Sequence, residues 1–495
     1  MKRVIILLVV LVLLTSCTTS QDYVDSDVYY EIYVGSFNDS DDDSMGDLNG
    51  VTEKLDYLKD LGVGGIWLMP ISESDTYHKY DVIDYMSVDE DYGTIEDFEN
   101  LVDEAHDKNI DIIIDLVLNH SSSKNPWFIE AKENVLNNNC DVEDSKCDYY
   151  NFSDEYKDGY TLIGNGIYYE SVFWSEMPDL NLDNPEVREE IKKIIDFWID
   201  KGVDGFRLDA VYHYYGGNIS KNNEFTEWLN DYVESKKEGA YVVGEVWADE
   251  GTLLNSYESG IDSMFNFSVS GNQGRIVYAI QNTNGKALSE YIVSHNESLK
   301  EISSESLDAV FLSNHDQARS AGFLIGDERK RLAASLYLMM PGVPFIYYGE
   351  EIGMKGSGID ENKRMAMLWG EDNDCNSPLN TDYTKQIESS VKEQLDDGDS
   401  LLNFYKQVLE VRNKYSFITN ADVSAFDVND NRLYAVNYIG SEQSIVVITN
   451  LSDEVITEEL VDTYQIDSQI IITENSLLEG NKLIIEPYST VVLIK

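Results

Sequence analysis

The sequence has few basic residues: Lys and Arg number 36 of 495 residues, against 92 Asp and Glu, so the formal net charge is −56. Binding of nucleic acid independent of its sequence, or binding to anionic lipid, requires a basic surface that attracts phosphates. The composition argues against both. It also argues against a disordered acidic chain, because 42% of the residues are hydrophobic and 11% are aromatic. We expect a large folded protein of about two to four domains.

The apolar run at the N-terminus is too short to cross a membrane. Val4–Leu14 has 11 residues, whereas a spanning helix needs about 20. The run follows Lys2 and Arg3, as in a secretory signal, and ends in the sequence LTSC at residues 14–17. This ending resembles a bacterial lipoprotein box, which implies cleavage before Cys17 and a lipid on its sulfur. An ordinary signal peptide with a coincidental cysteine is the alternative.

We therefore predict a lipoprotein signal at residues 1–17 and a small, polar tether at residues 18–27. The mature protein is expected to be extracellular and attached to the bacterial cell membrane only through this lipid. We expect it to be a monomer.

Cysteine is scarce, with four residues in the chain. Cys140 and Cys147 bracket a short acidic loop, and in an oxidising compartment we expect them to form a disulfide. Two free thiols are the alternative, because so short a loop constrains little of the unfolded chain. The pattern assigns no role to Cys375.

Short apolar runs alternate with longer amphipathic ones from about Val28 to Tyr415. The apolar runs are rich in Val, Ile and aromatic residues, which is typical of buried parallel strands. This alternation predicts a (β/α)₈ barrel or a doubly wound sheet. The predicted strands are Val28–Phe37, Val63–Met69, Ile110–Leu118, Val203–Leu208, Ala240–Val246, Ala309–Leu312 and Val343–Tyr348. The predicted helices include Glu96–Lys108, Pro185–Lys201, Glu224–Lys237 and Glu328–Met340.

Two stretches interrupt the alternation. Residues 121–177 are polar, rich in Asn and Tyr and too long for a connecting loop, so they predict an inserted subdomain. After Tyr415 the pattern changes to short alternating strands, which predict a separate antiparallel domain at residues 419–495. The strand–helix part then comprises residues 28–120 and 178–418.

Polar residues lie within the last residues of several predicted strands or directly after them. In a barrel, the carboxyl ends of the strands meet on one face, and that face holds the active site. A helix cap or a turn would explain any one of these residues, but all of them together indicate a site. They are Asn119 and His120; Arg207 and Asp209; Glu245 and Trp247; and Asn314, His315 and Asp316.

Clustered carboxylates suggest metal-assisted hydrolysis or acid–base and nucleophilic attack at a sugar. The zinc-binding pattern HExxH is absent. Arg207 lies two residues before Asp209, on the same face of the strand, and favours an ionised Asp209. Glu245 lies among aliphatic residues, which suits a carboxyl group with a raised pKa.

At these positions the sequence resembles the alpha-amylase family, glycoside hydrolase family 13. Four segments match its signature regions in order: Asp115–His120, Gly205–Ala210, Gly244–Trp247 and Phe311–Asp316. The resemblance extends from about Val28 to the C-terminus. It implies a (β/α)₈ TIM barrel with an inserted domain after strand 3 (domain B) and a C-terminal antiparallel β-sandwich.

By position, the resemblance implies Asp209 as nucleophile, Glu245 as general acid/base and Asp316 as the carboxylate that stabilises the distorted sugar. Such enzymes retain the anomeric configuration, so we expect the carboxyl groups of Asp209 and Glu245 to lie about 5–5.5 Å apart. The implied substrate-binding residues are Tyr80, Asp81, His120, Arg207, His213, Trp247 and His315.

The segment Met177–Asn181 resembles the fifth family region, in a form between the oligo-1,6-glucosidase and neopullulanase types. Together with the export signal, it indicates an alpha-amylase that cleaves internal α-1,4 bonds of starch, glycogen or maltooligosaccharides. An α-glucosidase or glucanotransferase with the same catalytic residues is the alternative, and a non-catalytic glycan-binding lipoprotein is another. Many alpha-amylases have Lys-His where this chain has Tyr212-His213, which leaves binding on the leaving-group side open.

Oxygen-bearing residues alternate in the loop from Asp39 to Asp47, a pattern that suits Ca²⁺. The loop resembles the calcium loop of oligo-1,6-glucosidase-like family members, and a plain run of charge is the alternative. The expected ligands are Asp39, Asp41, Asp43, the carbonyl of Met45, and Asp47. A second site implied by the resemblance uses Asn119 and a carbonyl near His213.

Most of the 92 acidic residues have no role in this scheme. An α-glucan is neutral, so the acidity does not attract the substrate. A surface of like charge repels itself unless ions screen it, and we therefore predict adaptation to salt.

Overall fold

The computed structural model describes residues 27–142, 145–370, 375–387 and 389–495. The predicted signal, the lipidation site Cys17 and nearly all of the tether lie outside these residues. Within them, every helix is too short or too polar to cross a membrane.

The described residues form twelve α-helices and nineteen strands. The helices are α1 Leu48–Glu53, α2 Leu55–Leu61, α3 Ile95–His106, α4 Pro126–Leu136, α5 Pro185–Asp200, α6 Ile219–Lys236, α7 Glu250–Ser256, α8 Arg275–Asn282, α9 Gly285–Ile302, α10 Asp327–Tyr337, α11 Val391–Asp396 and α12 Leu401–Lys414. The strands are β1 Tyr29–Ile32, β2 Gly65–Leu68, β3 Asp111–Leu116, β4 Phe152–Ser153, β5 Tyr160–Gly164, β6 Ile167–Glu170, β7 Gly205–Leu208, β8 Tyr241–Gly244, β9 Ser263–Phe265, β10 Leu307–Phe311, β11 Val343–Tyr347, β12 Asp422–Ala425, β13 Leu433–Ile439, β14 Ser444–Asn450, β15 Ile456–Glu459, β16 Gln465–Ile470, β17 Leu477–Glu479, β18 Lys482–Ile485 and β19 Thr490–Ile494.

Eight parallel strands close into a barrel in the order β1-β11-β10-β9-β8-β7-β3-β2. Tyr29 of β1 pairs with Gly65 of β2 and with Phe345 of β11, which closes the ring. The strands are buried on both faces, because side chains fill the barrel on one side and helices pack on the other. The predicted (β/α)₈ fold is confirmed.

The sequence predicted seven of the eight barrel strands and missed β9, which has only three residues. The strand predicted at Val28–Phe37 ends at Ile32, because Val34–Ser36 forms a turn of 3₁₀-helix. Helix α5 begins as predicted, with the Asn184 side chain accepting a hydrogen bond from the Glu186 amide and Pro185 in the first turn.

The inserted segment, between β3 and β7, contains α4 and a small sheet of order β4-β6-β5. Its core is aromatic: the ring of Phe128 packs against Tyr150 and Tyr169 at 5.0 and 4.9 Å. Cys140 and Cys147 are joined by a disulfide, with their Cα atoms 5.7 Å apart. Because β3 ends beneath it, the insert borders the carboxyl-end face of the barrel.

The C-terminal domain has a five-stranded sheet, β12-β13-β14-β19-β16, and a three-stranded sheet, β15-β18-β17. An apolar cluster that includes Leu433, Ile448 and Leu483 is buried between them, as in a β-sandwich. The domain packs closely on the barrel: the amide of Ala435 donates to Ser289 Oγ of α9 at 2.8 Å. A Cβ at Gly285 would lie only 2.2 Å from the Tyr434 nitrogen, so this contact requires glycine.

Candidate active site

A cleft with a volume of about 300 Å³ opens at the carboxyl ends of the barrel strands. Asp209 directly follows β7, Glu245 directly follows β8, and Asp316 lies on the loop after β10. All three predicted catalytic carboxylates therefore line one cleft. Its lining comprises His78, Tyr80, His120, Phe173, Met177, Asp209, Ala210, Tyr212, His213, Glu245, Trp247, Asp316, Asp360 and Arg364.

The guanidinium of Arg207 joins two of these carboxylates at the base of the cleft. Its Nη1 lies 2.7 Å from Asp209 Oδ1, and its Nη2 lies 2.8 Å from Glu245 Oε2. The Arg207 side chain is 1% exposed. A buried charge that loses its partner destabilises the protein by about 3–5 kcal/mol. The folded state therefore favours the arrangement in which both carboxylates stay beside Arg207.

A third carboxylate, Asp115 of β3, also binds Arg207, with Oδ1 2.8 Å from Nη1. The Tyr80 hydroxyl donates to Asp115 Oδ2 at 3.0 Å. Burial raises the pKa of Asp115 to about 7, although Arg207 acts to lower it. Asp115 opens a family signature segment, but the sequence assigned it no role of its own.

Glu245 has the electrostatic surroundings of a general acid. Burial raises the pKa of its carboxyl group, Arg207 lowers it, and the charges of Asp209 and Asp316 raise it further. The amide of Ala210 donates to Glu245 Oε2 at 3.2 Å. Ala210 has φ of +52°, an uncommon conformation for a residue with a side chain, which indicates that the backbone is constrained next to the catalytic groups.

Asp316 has the opposite surroundings. Its Oδ2 lies 3.2 Å from His315 Nε2, and its Oδ1 lies 3.4 Å from Arg364 Nη2. Burial acts to raise the pKa of Asp316, but the positive charges of His315 and Arg364 hold it well below its usual range. The cleft therefore contains one carboxyl group that favours its protonated form and one that stays ionised.

His315 is fixed by Glu31 of β1 and by Tyr80, which lies on the segment between β2 and α3. Its Nδ1 lies 2.5 Å from Glu31 Oε1, its Nε2 lies 2.8 Å from the Tyr80 hydroxyl, and its ring stacks on Tyr80. Burial acts to lower the pKa of His315, but Asp316 and Glu31 raise it to about 10. Glu31 lies inside the apolar run of β1, and sequence analysis did not single it out.

Of the other predicted sugar-binding residues, Tyr80 and His120 line the cleft, and Asp81 supports the loop behind it. His120 Nε2 lies 3.2 Å from the Tyr80 carbonyl oxygen, and burial lowers the pKa of the imidazole. Asp81 is buried and accepts hydrogen bonds from the hydroxyls of Ser74, at 2.6 Å, and Thr76.

His213 and Trp247, both predicted to bind substrate, line the cleft together with further aromatic residues. The Trp247 side chain is 53% exposed. Phe173, from the insert, contacts the ring of His213 at 4.9 Å. Tyr212, which replaces the lysine found in many alpha-amylases, also borders the cleft.

Sequence analysis missed Arg364 and Asp360, which lie in the segment after β11. The Arg364 side chain is 2% exposed, forms an ion pair with Asp360 and reaches Asp316. The Tyr77 hydroxyl donates to Asp360 Oδ2 at 2.8 Å. The sequence of this segment shows no helix or strand pattern, although residues 360–364 form a short 3₁₀ helix. Only the position of the segment beside the cleft identifies these residues.

The acidic loop brings together three of the five expected calcium ligands. Oxygens of Asp39, Asp41 and Asp43 lie within 4.8 Å of one another. The Asp47 carboxylate lies apart from this group: it caps α1 through the Gly50 amide at 2.7 Å and binds the amide and hydroxyl of Ser40. Hard carboxylate oxygens that converge at this range fit a calcium ion.

A second cavity lies at Asn119, the residue for which the resemblance implied a second calcium site. Asn119 and His213 line it together with the acidic side chains of Glu170 and Asp179. Burial and the charge of Glu170 raise the pKa of Asp179 to about 8, although hydrogen bonds from the Val172 amide and from Asn119 act to lower it. A pair of neighbouring, partly buried carboxylates also fits a cation.

Known proteins are similar to this chain in sequence and in fold. The alpha-amylase catalytic domain family matches residues 31–421. The chain is 40% identical over 484 residues to Alpha-amylase 3 of Dictyoglomus thermophilum, covering 94% of this chain and 92% of that one. It is 31% identical over 451 residues to a 4-alpha-glucanotransferase of Thermotoga neapolitana, covering 86% and 95%. The solved structure of Eubacterium rectale Amy13B is 38% identical, with a TM-score of 0.91 and coverage of 94% and 95%.

The family match spans most of the chain and covers the insert, every lining residue of the cleft and all of the barrel strands except the first two residues of β1. The chain therefore belongs to the alpha-amylase family and is a glycoside hydrolase.

Proposed function

We propose that this protein is an alpha-amylase that cleaves internal α-1,4 bonds of α-glucans and retains the anomeric configuration. The observation that carries the proposal is the pairing of Asp209 and Glu245 through one buried guanidinium, that of Arg207. The similarity to Alpha-amylase 3 supports the same activity.

Asp209 is proposed as the nucleophile. Its carboxylate attacks the anomeric carbon and forms a covalent glycosyl ester, while Glu245 gives its proton to the glycosidic oxygen as the bond to the leaving sugar breaks. Glu245, now ionised, then takes a proton from water. The resulting hydroxide attacks the anomeric carbon and releases Asp209.

Asp316 is proposed to stabilise the positive charge that develops on the sugar ring. His315 and Arg364 keep its carboxylate ionised, which suits an oxocarbenium-like transition state. Tyr80 offers a ring face for stacking on the sugar, and His120 lies beside it.

The products formed from starch and from maltotriose test the endo-acting assignment. We expect starch to yield maltooligosaccharides of mixed length early in the reaction. Glucose alone, released from chain ends, would instead favour the α-glucosidase alternative, and longer products from maltotriose would favour a glucanotransferase. A non-catalytic glycan-binding role is disfavoured because all three carboxylates are present in one cleft.

We propose Ca²⁺ as a structural cofactor at the acidic loop. Asp39, Asp41 and Asp43 would supply carboxylate oxygens, and the carbonyl of Met45 is a further candidate ligand. A bound ion would screen the mutual repulsion of these carboxylates and stabilise the loop between β1 and α1. The cavity formed by Asn119, Glu170 and Asp179 is proposed as a second site.

Export and anchoring are proposed from the N-terminal sequence. Cys17 would carry the lipid and hold the enzyme at the outer face of the cell membrane, with an α-glucan as its substrate. A Cys17→Ala variant should carry no lipid, which mass spectrometry of the protein would show. The proposed monomeric state can be tested by light scattering after size-exclusion chromatography.

A further inference from the structure

Two adjacent carboxylates are buried outside the cleft, and the proposed mechanism uses neither. Glu350 and Glu351 follow β11 and are 4% and 0% exposed. Burying a carboxylate is costly unless hydrogen bonds compensate for the lost water, so each needs a structural reason.

Glu350 accepts four hydrogen bonds from hydroxyl groups. Its Oε1 accepts from Tyr337 at 2.8 Å and from Tyr405 at 3.0 Å, on α10 and α12. Its Oε2 accepts from Ser313 Oγ at 3.4 Å and from Ser320 Oγ at 3.3 Å. Within the described part of the chain, no Lys, Arg or His forms an ion pair with Glu350, so these hydroxyls are what compensate for its burial.

The two serines stand at the two ends of the loop that carries Asp316. The Ser320 amide also donates to Ser313 Oγ at 3.1 Å, so the ends of the loop are bound to each other as well as to Glu350. Between them, Asn314 Oδ1 accepts from the amide of Asp316 at 3.1 Å. The loop is therefore closed at its base by one carboxylate.

We propose that Glu350 is a positioning residue for Asp316. Glu350 links both ends of the Ser313–Ser320 loop to α10 and α12 through hydrogen bonds. These links fix the position of the Asp316 carboxylate in the cleft. This inference rests on the proposed role of Asp316 in stabilising the transition state.

Asp316 needs such support because it lies on a loop rather than on a strand. Its side chain is 36% exposed, and its contacts to His315 and Arg364, at 3.2 and 3.4 Å, involve only the carboxylate. Stabilisation of a developing charge depends steeply on placement, and a displacement of about 1 Å can cost about 100-fold in rate. Burial raises the pKa of Glu350 to about 7, but its acceptor oxygens can hold the loop in either protonation state.

Glu351 provides a matched control. It is equally buried, and its Oε1 accepts hydrogen bonds from two tyrosines, Tyr30 and Tyr57, both at 2.7 Å. In the described residues, its side chain has no hydrogen bond to the Ser313–Ser320 loop. Loss of either carboxylate should lower stability, but only loss of Glu350 should disturb Asp316.

The test compares Glu350→Ala, Glu351→Ala and the double variant Ser313→Ala/Ser320→Ala, with maltopentaose as substrate. For Glu350→Ala we expect kcat to fall about 10- to 100-fold, with KM within about threefold of the original value. The double serine variant, which leaves the tyrosine contacts in place, should shift kcat in the same way. Glu351→Ala should keep kcat within about threefold despite a lower melting temperature.

The Glu350→Gln variant tests whether the hydrogen bonds of this side chain matter rather than its negative charge. Glu350→Gln can still accept from the tyrosines and pair with the serines, so its kcat should stay within about threefold of the original. The proposal is overturned if Glu350→Gln is as slow as Glu350→Ala, or if Glu350→Ala and Glu351→Ala lose kcat equally. If Glu350→Ala does not fold, an unchanged kcat in the double serine variant overturns it.

An Asp316→Asn variant with full activity would contradict the role in transition-state stabilisation that is proposed for Asp316 and on which the positioning role rests. An inactive Asp316→Asn variant together with fully active Glu350 and serine variants would contradict only the positioning role.

Discussion

The indole of Trp247 lies face to face with the ring of Phe267, with the ring centroids 4.9 Å apart and the planes inclined by 9°. One face of the indole is thus occupied and the other is left to the cleft, as suits a platform for a sugar ring. We predict that Trp247→Ala raises KM for maltooligosaccharides about 5- to 20-fold and changes kcat less, because stacking binds ground state and transition state alike. Tyr278→Ala, which removes an aromatic side chain that is 61% exposed and lies on α8, is the control and should leave KM unchanged.

Removal of the proposed nucleophile should stop hydrolysis while sparing binding. We expect Asp209→Asn to lower kcat on starch by about 10⁴-fold or more, with maltooligosaccharide affinity by calorimetry nearly unchanged. Asp204 precedes the same strand at the opposite end of the barrel, where it binds Lys237 and His106. Asp204→Asn should therefore lower the melting temperature but not kcat. Survival of activity in Asp209→Asn would mean that another residue is the nucleophile.

The raised pKa of Glu245 should set the alkaline limit of kcat. A general acid must carry its proton, so kcat should fall as pH rises through this pKa, and its elevation extends activity toward neutral pH. Glu245→Gln cannot give a proton and should lose starch hydrolysis and the alkaline limb. It should still release fluoride from α-maltosyl fluoride, because that leaving group needs no proton. An unchanged pH profile on starch in Glu245→Gln would contradict the assignment.

Calcium should stabilise the folded protein through the acidic loop. We expect a chelator to lower the melting temperature and added Ca²⁺ to restore it, because a ligand at 100 times its Kd adds about 2.7 kcal/mol. In Asp43→Asn, the rise in melting temperature that comes from calcium binding at the acidic loop should disappear. Asp42→Asn alters the same loop outside the converging group of three and serves as the control. Equal calcium responses in the two variants would argue against a site at Asp39, Asp41 and Asp43.

The net charge of −56 predicts a requirement for salt. The screening length falls from about 30 Å at 0.01 M salt to about 3 Å at 1 M, so added NaCl should relieve repulsion across the surface. We expect the melting temperature and starch hydrolysis to rise with NaCl at fixed Ca²⁺, and not with an equal osmolality of sucrose. Full stability and activity at very low ionic strength would count against adaptation to salt.

The sequence predicted the barrel and the meeting of Asp209, Glu245 and Asp316 at one cleft, because residues at strand ends carry a local signal. Asp209 and Glu245 each follow an apolar run directly, and the barrel then brings them together. Strand β9 was missed because three residues are too few to show a pattern. Glu31 was missed for a different reason: it is a charged residue within a strand, and its partner His315 lies 284 positions away.

Arg364 and Glu350 were also missed because their contacts are distant in sequence. Their side chains contact residues of other elements that lie close only in the folded barrel, Glu350 contacting Tyr405 and Arg364 contacting Asp316, and no spacing along the chain encodes these contacts. The calcium loop lies between these cases. Its alternating acids predicted the convergence of Asp39, Asp41 and Asp43, but they did not reveal that Asp47 caps α1.

The contact between α9 and β13 has a consequence for how this chain can be cut or recombined. Gly285 lies against the backbone of Leu433 and Tyr434, and the Tyr438 hydroxyl donates to the carbonyl of Met339 at 2.7 Å, where both are buried. The C-terminal domain is therefore packed tightly against the barrel and covers buried residues of it. A shortened enzyme ending near residue 418 would expose apolar surface and aggregate. A C-terminal domain taken from a relative would fit only if its backbone packed against Gly285 as closely as Leu433 and Tyr434 do.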